Sequence, residues 1–397
     1  MPSAPSLRTI LFRLHWALGL TAGLVLALMG ATGALLSYEE AITAFANRDR
    51  AVATVRGGRP ALAPATLVAR IEAQAREGGQ RGVRVAALTL SGDPAQSVVA
   101  RFARGRAGGE RPPSVHADPY DGTVLGPVRL EAAFATVRGL HRWLLIPGDG
   151  KGWGRTITGA GALALLLFLG SGLYLRWPGR HGWRVWLRPN LARPGRARWW
   201  SLHAVLGTWL LPVYAVIALS GLWWSYEWYR AGATWILTGQ APETRPAART
   251  PGRPAPDATS DGASAIDAAW ASFSATHGAA LATLTLPEPE AATIRIRWRA
   301  ADTVLRHEAT YDARTGALAG EPHADDAGLG RRIAGNMLEV HRGRFFGAPA
   351  ALLFCLAALA MPGFFATGLT LYLLRHRAGR RRASGTASRP VAAAGRG

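Results

Sequence analysis

The sequence predicts a mainly α membrane protein, with four transmembrane helices as two parallel repeats and an extracytoplasmic α+β domain inserted in each. Three observations predict it. The chain of 397 residues holds four long runs free of charged side chains. Its two halves match each other at corresponding motifs. Its charges are sorted by segment rather than mixed.

The runs are Leu14–Tyr38, Thr156–Leu175, Trp199–Tyr226 and Phe345–Leu374. Each is long enough to cross a hydrocarbon layer of about 30 Å at about 1.5 Å per residue. The first run has the basic flank of a secretory signal and an Ala44-Phe45-Ala46 stretch. Its apolar part exceeds the roughly 7–15 residues of a signal core, and its twin lies inside the chain. It is read as a retained helix.

The formal net charge is +21. A basic protein invites a nucleic-acid reading, but the distribution argues against one. All 25 acidic residues fall within 39–149 or 227–339. Segment 176–198 carries seven arginines and no acid, as does the tail after Leu374. Short basic segments stay on the cytoplasmic side of a membrane. Both termini and the 176–198 loop are therefore expected in the cytoplasm, with arginines facing anionic lipid, and the two long loops outside. No nucleic-acid partner is expected. The single cysteine, Cys355, lies in the fourth apolar run. It permits neither an intramolecular disulfide nor a four-cysteine iron–sulfur site.

The first and third runs align without a gap at an offset of 188 residues. His15 matches His203, Gly19 matches Gly207, Gly33 matches Gly221, and Ser37-Tyr38-Glu39 matches Ser225-Tyr226-Glu227. The second and fourth match at Leu140-His141-Arg142 against Val340-His341-Arg342, and again where a Ser171-Gly172-Leu173 segment answers Thr367-Gly368-Leu369. The long loops repeat too. Each reads as a helix (Pro64–Arg76; Ala263–Ala275) followed by strand-like runs (Val83–Leu90 and Ser97–Phe102; Leu281–Leu286 and Thr293–Arg299). Each then has a turn signal, Asp118 to Gly122 or Asp312 to Gly316. Residues 244–262, rich in Pro, Ala and Thr, read as a linker.

A parallel repeat places equivalent residues at equal depth on facing helices. His15 and His203 then share a depth near the inner face, and His141 and His341 near the outer face. A histidine inside a membrane is costly and needs a partner. Two imidazoles at one depth can approach one haem iron from opposite sides. Haem is expected at both pairs. Zinc or copper fits less well, because no cysteine or carboxylate accompanies the histidines in the runs. Gly19 and Gly207 follow their histidines by four residues and share their helix faces. They either admit a flat macrocycle or serve close helix packing. Arg142 and Arg342, beside the outer histidines, suit haem propionates. Arg13 and Arg198 lie near the inner ones and read equally as cytoplasmic anchors. Glu39 and Glu227 either bind a cation or steer a substrate, or simply end a span. The tryptophans at 199–200 and 223–224 read first as interface belts. His116, His181, His277, His307, His323 and His376 have no match in the other half.

One redox centre near each face would carry electrons across the membrane. No nucleotide-binding motif is visible; Gly159-Ala160-Gly161 sits in an apolar helix without the strand–turn–helix setting a dinucleotide requires. The donor is expected to be separate: a reduced flavin, a flavoprotein or a quinol.

The Leu-His-x₃-Gly openings, the Thr/Ser-Gly-Leu helix ends and the paired Asp-x₃-Gly turns together resemble the PepSY-associated transmembrane family. That family includes iron-regulated inner-membrane proteins and ferric-siderophore reductases. The resemblance covers nearly the whole chain except the 244–262 linker and the tail. It implies two haems b held by helix histidines, here His15, His203, His141 and His341. It further implies a bacterial inner-membrane location and a ferric siderophore or other periplasmic acceptor. Residues 1–38 then hold the cytoplasmic N-terminus and first helix, 39–140 a PepSY-like domain, and 141–177 the second helix. A cytoplasmic loop occupies 178–198 and the third helix 199–227. A second PepSY-like domain occupies 228–340, the fourth helix 341–374, and the tail 375–397. Two rival readings stay open: a membrane-anchored binding or regulatory protein without redox activity, and a transporter. The apolar helix centres count against the transporter.

Overall fold

The computed structural model describes residues 4–55, 60–80, 82–105, 111–148, 150–177, 182–240, 260–278, 280–288, 291–299, 305–321 and 328–387. Nearly all of the 244–262 linker, His181, His323 and the end of the tail lie outside them. The chain divides into two compact units: Met1–Ser37, Val137–Arg230 and Val340–Gly397 form one, and Tyr38–Thr136 and Ala231–Glu339 the other.

The first unit is a helix bundle. Its long helices are α1 (Leu7–Ser37), α5 (Trp153–Arg176), α7 (Arg196–Ser225) and α12 (Ala348–Ala387). All four are long and apolar enough to span a membrane. Packed neighbours are α1 with α5 and α12, and α7 with α5 and α12. So α1 and α7 face each other diagonally, as do α5 and α12. Leu26, Leu165, Val213, Tyr214, Phe354 and Met361 form the bundle core. Many large apolar side chains point outward instead, among them Leu24, Leu35, Leu219 and Leu359. In water that surface would be a liability; in lipid it is the solvent-facing side.

The outer histidines are not on the long helices. His141 closes α4 (Glu131–Trp143), and His341 closes α11 (Met337–His341). Breaks separate them from α5 and α12. Leu144 and Leu145 both have φ of 56°, while Gly343 (74°) and Gly347 (94°) flank the short 3-10 turn Arg344–Phe346. Positive φ stops a right-handed helix.

The second unit is built on α3 (Pro64–Glu77), α9 (Ser260–His277) and eight strands. These are β1 (Val85–Leu90), β2 (Val98–Phe102), β3 (Val115–Ala117), β4 (Val124–Pro127), β5 (Ala282–Thr285), β6 (Thr293–Arg299), β7 (Arg306–Asp312) and β8 (Leu318–Gly320). The expected turns fall between β3 and β4 and between β7 and β8. In each, an aspartate carbonyl accepts a 2.9 Å hydrogen bond from a positive-φ glycine, Gly122 on Asp118 and Gly316 on Asp312.

Read separately, the loops are two α+β domains. The structure joins their strands in one antiparallel sheet, ordered β4-β3-β2-β1-β5-β6-β7-β8. The seam is β1 on β5, with Leu88 opposite Leu284 and Thr89 opposite Thr283. Alone, either four-stranded half would leave a row of unpaired backbone N–H and C=O groups on β1 or β5. Pairing the two edges satisfies both, and Thr89 and Thr283 add a hydroxyl contact of 3.2 Å. One face of the sheet is dry. Strand β6 shows why: Ile294, Ile296 and Trp298 alternate inward, with Arg295 and Arg297 outward. Leu67, Ile71, Ala265, Ala269 and Phe273 of α3 and α9 join the inward residues in one core. Each fully buried large apolar side chain contributes about 1.5–3 kcal/mol.

Several short helices were not foreseen, among them α6 (Trp183–Leu187) and α10 (Leu329–Gly335). Glu39 and Glu227 do not end the long helices; they open α2 (Glu39–Ala46) and α8 (Glu227–Thr238). A carboxylate in a first helical turn is favoured by the exposed N–H groups there.

Candidate functional site

The bundle brings the four repeat-matched histidines together in two pairs. The ring centres of His15 and His203 are 6.4 Å apart, inclined at 74°. Those of His141 and His341 are also 6.4 Å apart, inclined at 67°. His15 and His203 stand on the diagonal helices α1 and α7. Each packs edge-on against a phenylalanine of a neighbouring helix, Phe168 or Phe364, at 5.2 Å.

Every histidine is held by a hydroxyl residue followed by a glycine. His15 Nδ1 lies 2.8 Å from Ser171 Oγ, and His203 Nδ1 2.8 Å from Thr367 Oγ1. His341 Nδ1 lies 2.8 Å from Ser220 Oγ, and His141 Nδ1 3.1 Å from Thr32 Oγ1. The glycine next in sequence gives the ring room. A Cβ added at Gly33, Gly221, Gly172 or Gly368 would stand 3.1, 3.4, 3.6 or 3.9 Å from the Cε1 of its histidine. The holding residues always come from the same half of the chain as the histidine they hold.

These contacts fix the tautomer. Each hydroxyl donates its own proton to a carbonyl one turn back, Thr32 to Leu28 at 2.7 Å and Thr367 to Phe364 at 3.0 Å for example. Its oxygen is then left to accept, so the imidazole Nδ1–H donates. His141 Nδ1 also donates to the Met29 carbonyl at 2.9 Å, which cannot donate in return. All four Nε2 atoms therefore carry a lone pair. Burial pushes His141 down to about 4, assisted by the charges of Arg142 and Arg342 and opposed by the Met29 hydrogen bond. Burial pushes His341 down to about 3, with His141 and Arg342 adding to it. Both rings are neutral at pH 7, the form that binds metals.

The spacing suits one metal atom between two rings. A metal–imidazole bond of about 2.0–2.1 Å and about 1.1 Å from nitrogen to ring centre give roughly 6.3 Å from centre to centre. Among the described residues, no group of three or more His, Cys, Asp or Glu side chains gathers at one point. A zinc ion held by protein alone takes three or four such ligands. Two nitrogens fit a group that brings its own equatorial donors, as haem does.

The inner pair opens on a cavity of about 1250 Å³. This exceeds the roughly 300–1,000 Å³ of common small-ligand pockets. Gly19 and Gly207 line it, and a Cβ at Gly19 would meet nothing within 4 Å. At Gly19 the missing side chain leaves free space rather than close helix packing. Among the described residues, six arginines line the cavity and no acid does: Arg8, Arg13, Arg176, Arg196, Arg375 and Arg380. Arg198 is not among them; its Nε donates to the Arg193 carbonyl at 3.3 Å. Arg176 is tied down by the Ala204 carbonyl, by Thr208 Oγ1 at 2.5 Å and by the Trp186 ring. At the outer pair, the exposed Arg142 lies over the Trp143 ring at 5.2 Å. Trp224 packs on His341 at 5.6 Å.

The sequence analysis missed Ser171, Thr367, Thr32 and Ser220. The signal was present as four hydroxyl–glycine dipeptides at matching repeat positions. Of the unmatched histidines, His116 Nδ1 bonds Ser97 Oγ at 2.8 Å, His277 and His307 pack around Trp298, and His376 lines the inner cavity. Cys355 is a packing residue whose thiol approaches the Ala34 carbonyl at 3.7 Å.

Four apolar spans, with one histidine pair on two of them and a second pair on the short helices α4 and α11, define a multi-pass membrane protein with two polar sites in its bundle. The model of the PepSY-associated TM region matches residues 12–375, and the chain belongs to that family. No curated protein matches it.

Proposed function

We propose that the chain is a haem-b electron-transfer protein of the bacterial inner membrane, passing electrons outward to ferric iron in a siderophore complex. The carrying observation is the doubled pair of histidines at 6.4 Å, each with Nδ1–H engaged and Nε2 bare. His15 and His203 would hold one haem, and His141 and His341 the other. Haem supplies one-electron chemistry at its iron. The residues do the rest. The hydroxyls of Ser171, Thr367, Thr32 and Ser220 orient the rings and strengthen them as ligands. Gly19 leaves space for a planar group beside the inner pair, and Gly207, beside Phe364, lines the same cavity. The cavity arginines offer paired N–H groups to carboxylates. Arg142 and Arg342 would serve the same task at the outer pair.

The two sites are separated along α1 by the run from His15 to Thr32, about 25 Å at 1.5 Å per residue. That nearly spans a hydrocarbon layer of about 30 Å. Between those levels α1 and α7 carry Leu26, Val213, Tyr214 and Ala218, which exclude water from the core. The sorted charges support an orientation with both termini and the basic loop in the cytoplasm and the sheet unit outside. The internal match of the two halves supports a parallel repeat about an axis along the membrane normal. The electron donor in this scheme is a separate flavin, flavoprotein or quinol on the cytoplasmic side.

The test is a dithionite-reduced minus air-oxidised visible spectrum of the purified protein, with haem counted as the pyridine complex. A sharp b-type α band and two haems per chain are expected. A flat spectrum from folded protein made with ample haem overturns the reading.

A further inference from the structure

The sheet unit presents a second polar feature, on the face turned away from α3 and α9. The register sets it out. Arg101 of β2, Ala87 of β1, Thr285 of β5 and Arg295 of β6 lie side by side in one row across the sheet. The next row on that face runs Val99, Thr89, Thr283, Arg297. The residues that alternate with them, Leu88, Leu284 and Ile296, lie in the dry core. The seam strands thus contribute only short side chains, two of them threonines hydrogen-bonded to each other. The flanking strands raise arginines on either side, and Arg101, Arg295 and Arg297 are all exposed. From β2 to β6 is three strand spacings, about 14 Å.

The arginines do not cancel one another. Desolvation lowers the Arg101 pKa first, and the charges of Arg111 and Arg297 lower it further, against the opposing pull of Glu131. The acid on the same row as Arg297 is Glu308, which pairs with it. Guanidinium groups gathered across a small-residue floor cost energy through like-charge repulsion. A multiply charged anion lying between them would relieve it, with bidentate hydrogen bonds to its carboxylates.

We propose that this trough across the β1–β5 seam binds a compact anionic metal chelate of the polycarboxylate type. The iron in that chelate rests on the electron-transfer reading; the negative charge rests on the sheet alone. The trough therefore selects among acceptors. It favours carboxylate chelates of net negative charge and disfavours cationic hydroxamate chelates.

Gallium(III) citrate tests this, because gallium resembles ferric iron in charge and size and does not accept the electron. Binding to the full chain in detergent is read by titration calorimetry. Saturable binding is expected, weakening steeply as salt rises. The double variant R101Q/R295Q loses about tenfold or more in affinity, because two charge-assisted contacts are lost. A cationic gallium trihydroxamate does not bind there. Absence of gallium citrate binding overturns the proposal, as does equal binding by the double variant. A double variant that loses only association with phosphatidylglycerol vesicles makes the face a lipid contact and also overturns it. An unchanged melting profile shows the double variant to be folded. Because gallium is not reduced, the two readings fail separately. Probe binding without any haem spectrum sinks the electron-transfer reading alone, and a haem spectrum without probe binding sinks this one alone.

Discussion

His15 and Ser171 are joined across two helices by a 2.8 Å hydrogen bond, and Gly172 beside that serine faces the same ring. The same joint recurs at His203, His141 and His341 with partners from their own halves of the chain. An imidazole tied through Nδ1 to a hydroxyl, with a glycine leaving room beside its Cε1, has a set orientation. This restraint, with the coordinating nitrogen left bare, is the main physical argument that these rings are built to ligate.

Removing the hydroxyls should separate the two sites. In S171A and T367V the His15/His203 haem is expected to show a raised midpoint potential, because a donated Nδ1–H makes the imidazole more electron-rich and favours ferric iron. Its retention is expected to fall about 10–100-fold. T32V and S220A should do this to the other haem only. Redox titration with electron paramagnetic resonance reads each change. If a single hydroxyl variant moves both haems equally, the assignment is wrong.

Histidine removal tests the pairing itself. H15A and H203A are each expected to cost the same haem, lowering the pyridine-haemochrome count from two to one per chain. H141A and H341A should each cost the other. Loss of different haems from H15A and H203A would break the pairing.

The glycines give a graded series. An alanine at Gly33 would bring its Cβ to 3.1 Å from His141 Cε1, and one at Gly368 to 3.9 Å from His203 Cε1. G33A should displace its ring and lose haem, G221A less so, and G172A and G368A little. The ratio of α-band absorbance to protein across the four variants checks the order. A flat series argues that the rings have room to spare.

The seam predicts a stability effect confined to the sheet unit. Leu284 is fully buried on β5, opposite Leu88. L284A is expected to cost about 2–5 kcal/mol, read as earlier loss of hydrogen-exchange protection across β1 and β5 in denaturant. Haem absorbance should persist through that transition. Coincident loss of both signals would mean that the units unfold together.

Much of this molecule was legible in the sequence because membranes impose a coarse code. Four charge-free runs became four helices, since lipid leaves no other way to satisfy the backbone. Repeat matching identified the histidine pairs before any geometry was known. Other parts were hidden for definite reasons. The Ser171 and Thr32 motifs were visible, but nothing along the chain says which histidine on another helix they meet. The β1–β5 seam was invisible because strand alternation specifies a face, not the neighbour across an edge. Glu39 was left between a site residue and the end of a span, because a first-turn carboxylate and a terminal charge look the same in one dimension.

The shared sheet also imposes a schedule. Strands β1 and β5 are separated by about 190 residues, and chains are made at about 5–20 residues per second. The first loop therefore waits on the order of 10–40 s for the strand that covers its open edge. During that interval β1 is a sticky, hydrogen-bond-hungry border available to any passing chain. Newly made copies are thus most vulnerable to mispairing in the window before β5 (Ala282–Thr285) is made. Helper proteins that shield bare strand edges would have their greatest effect then, and slowed translation between the two halves should lower the yield of intact protein.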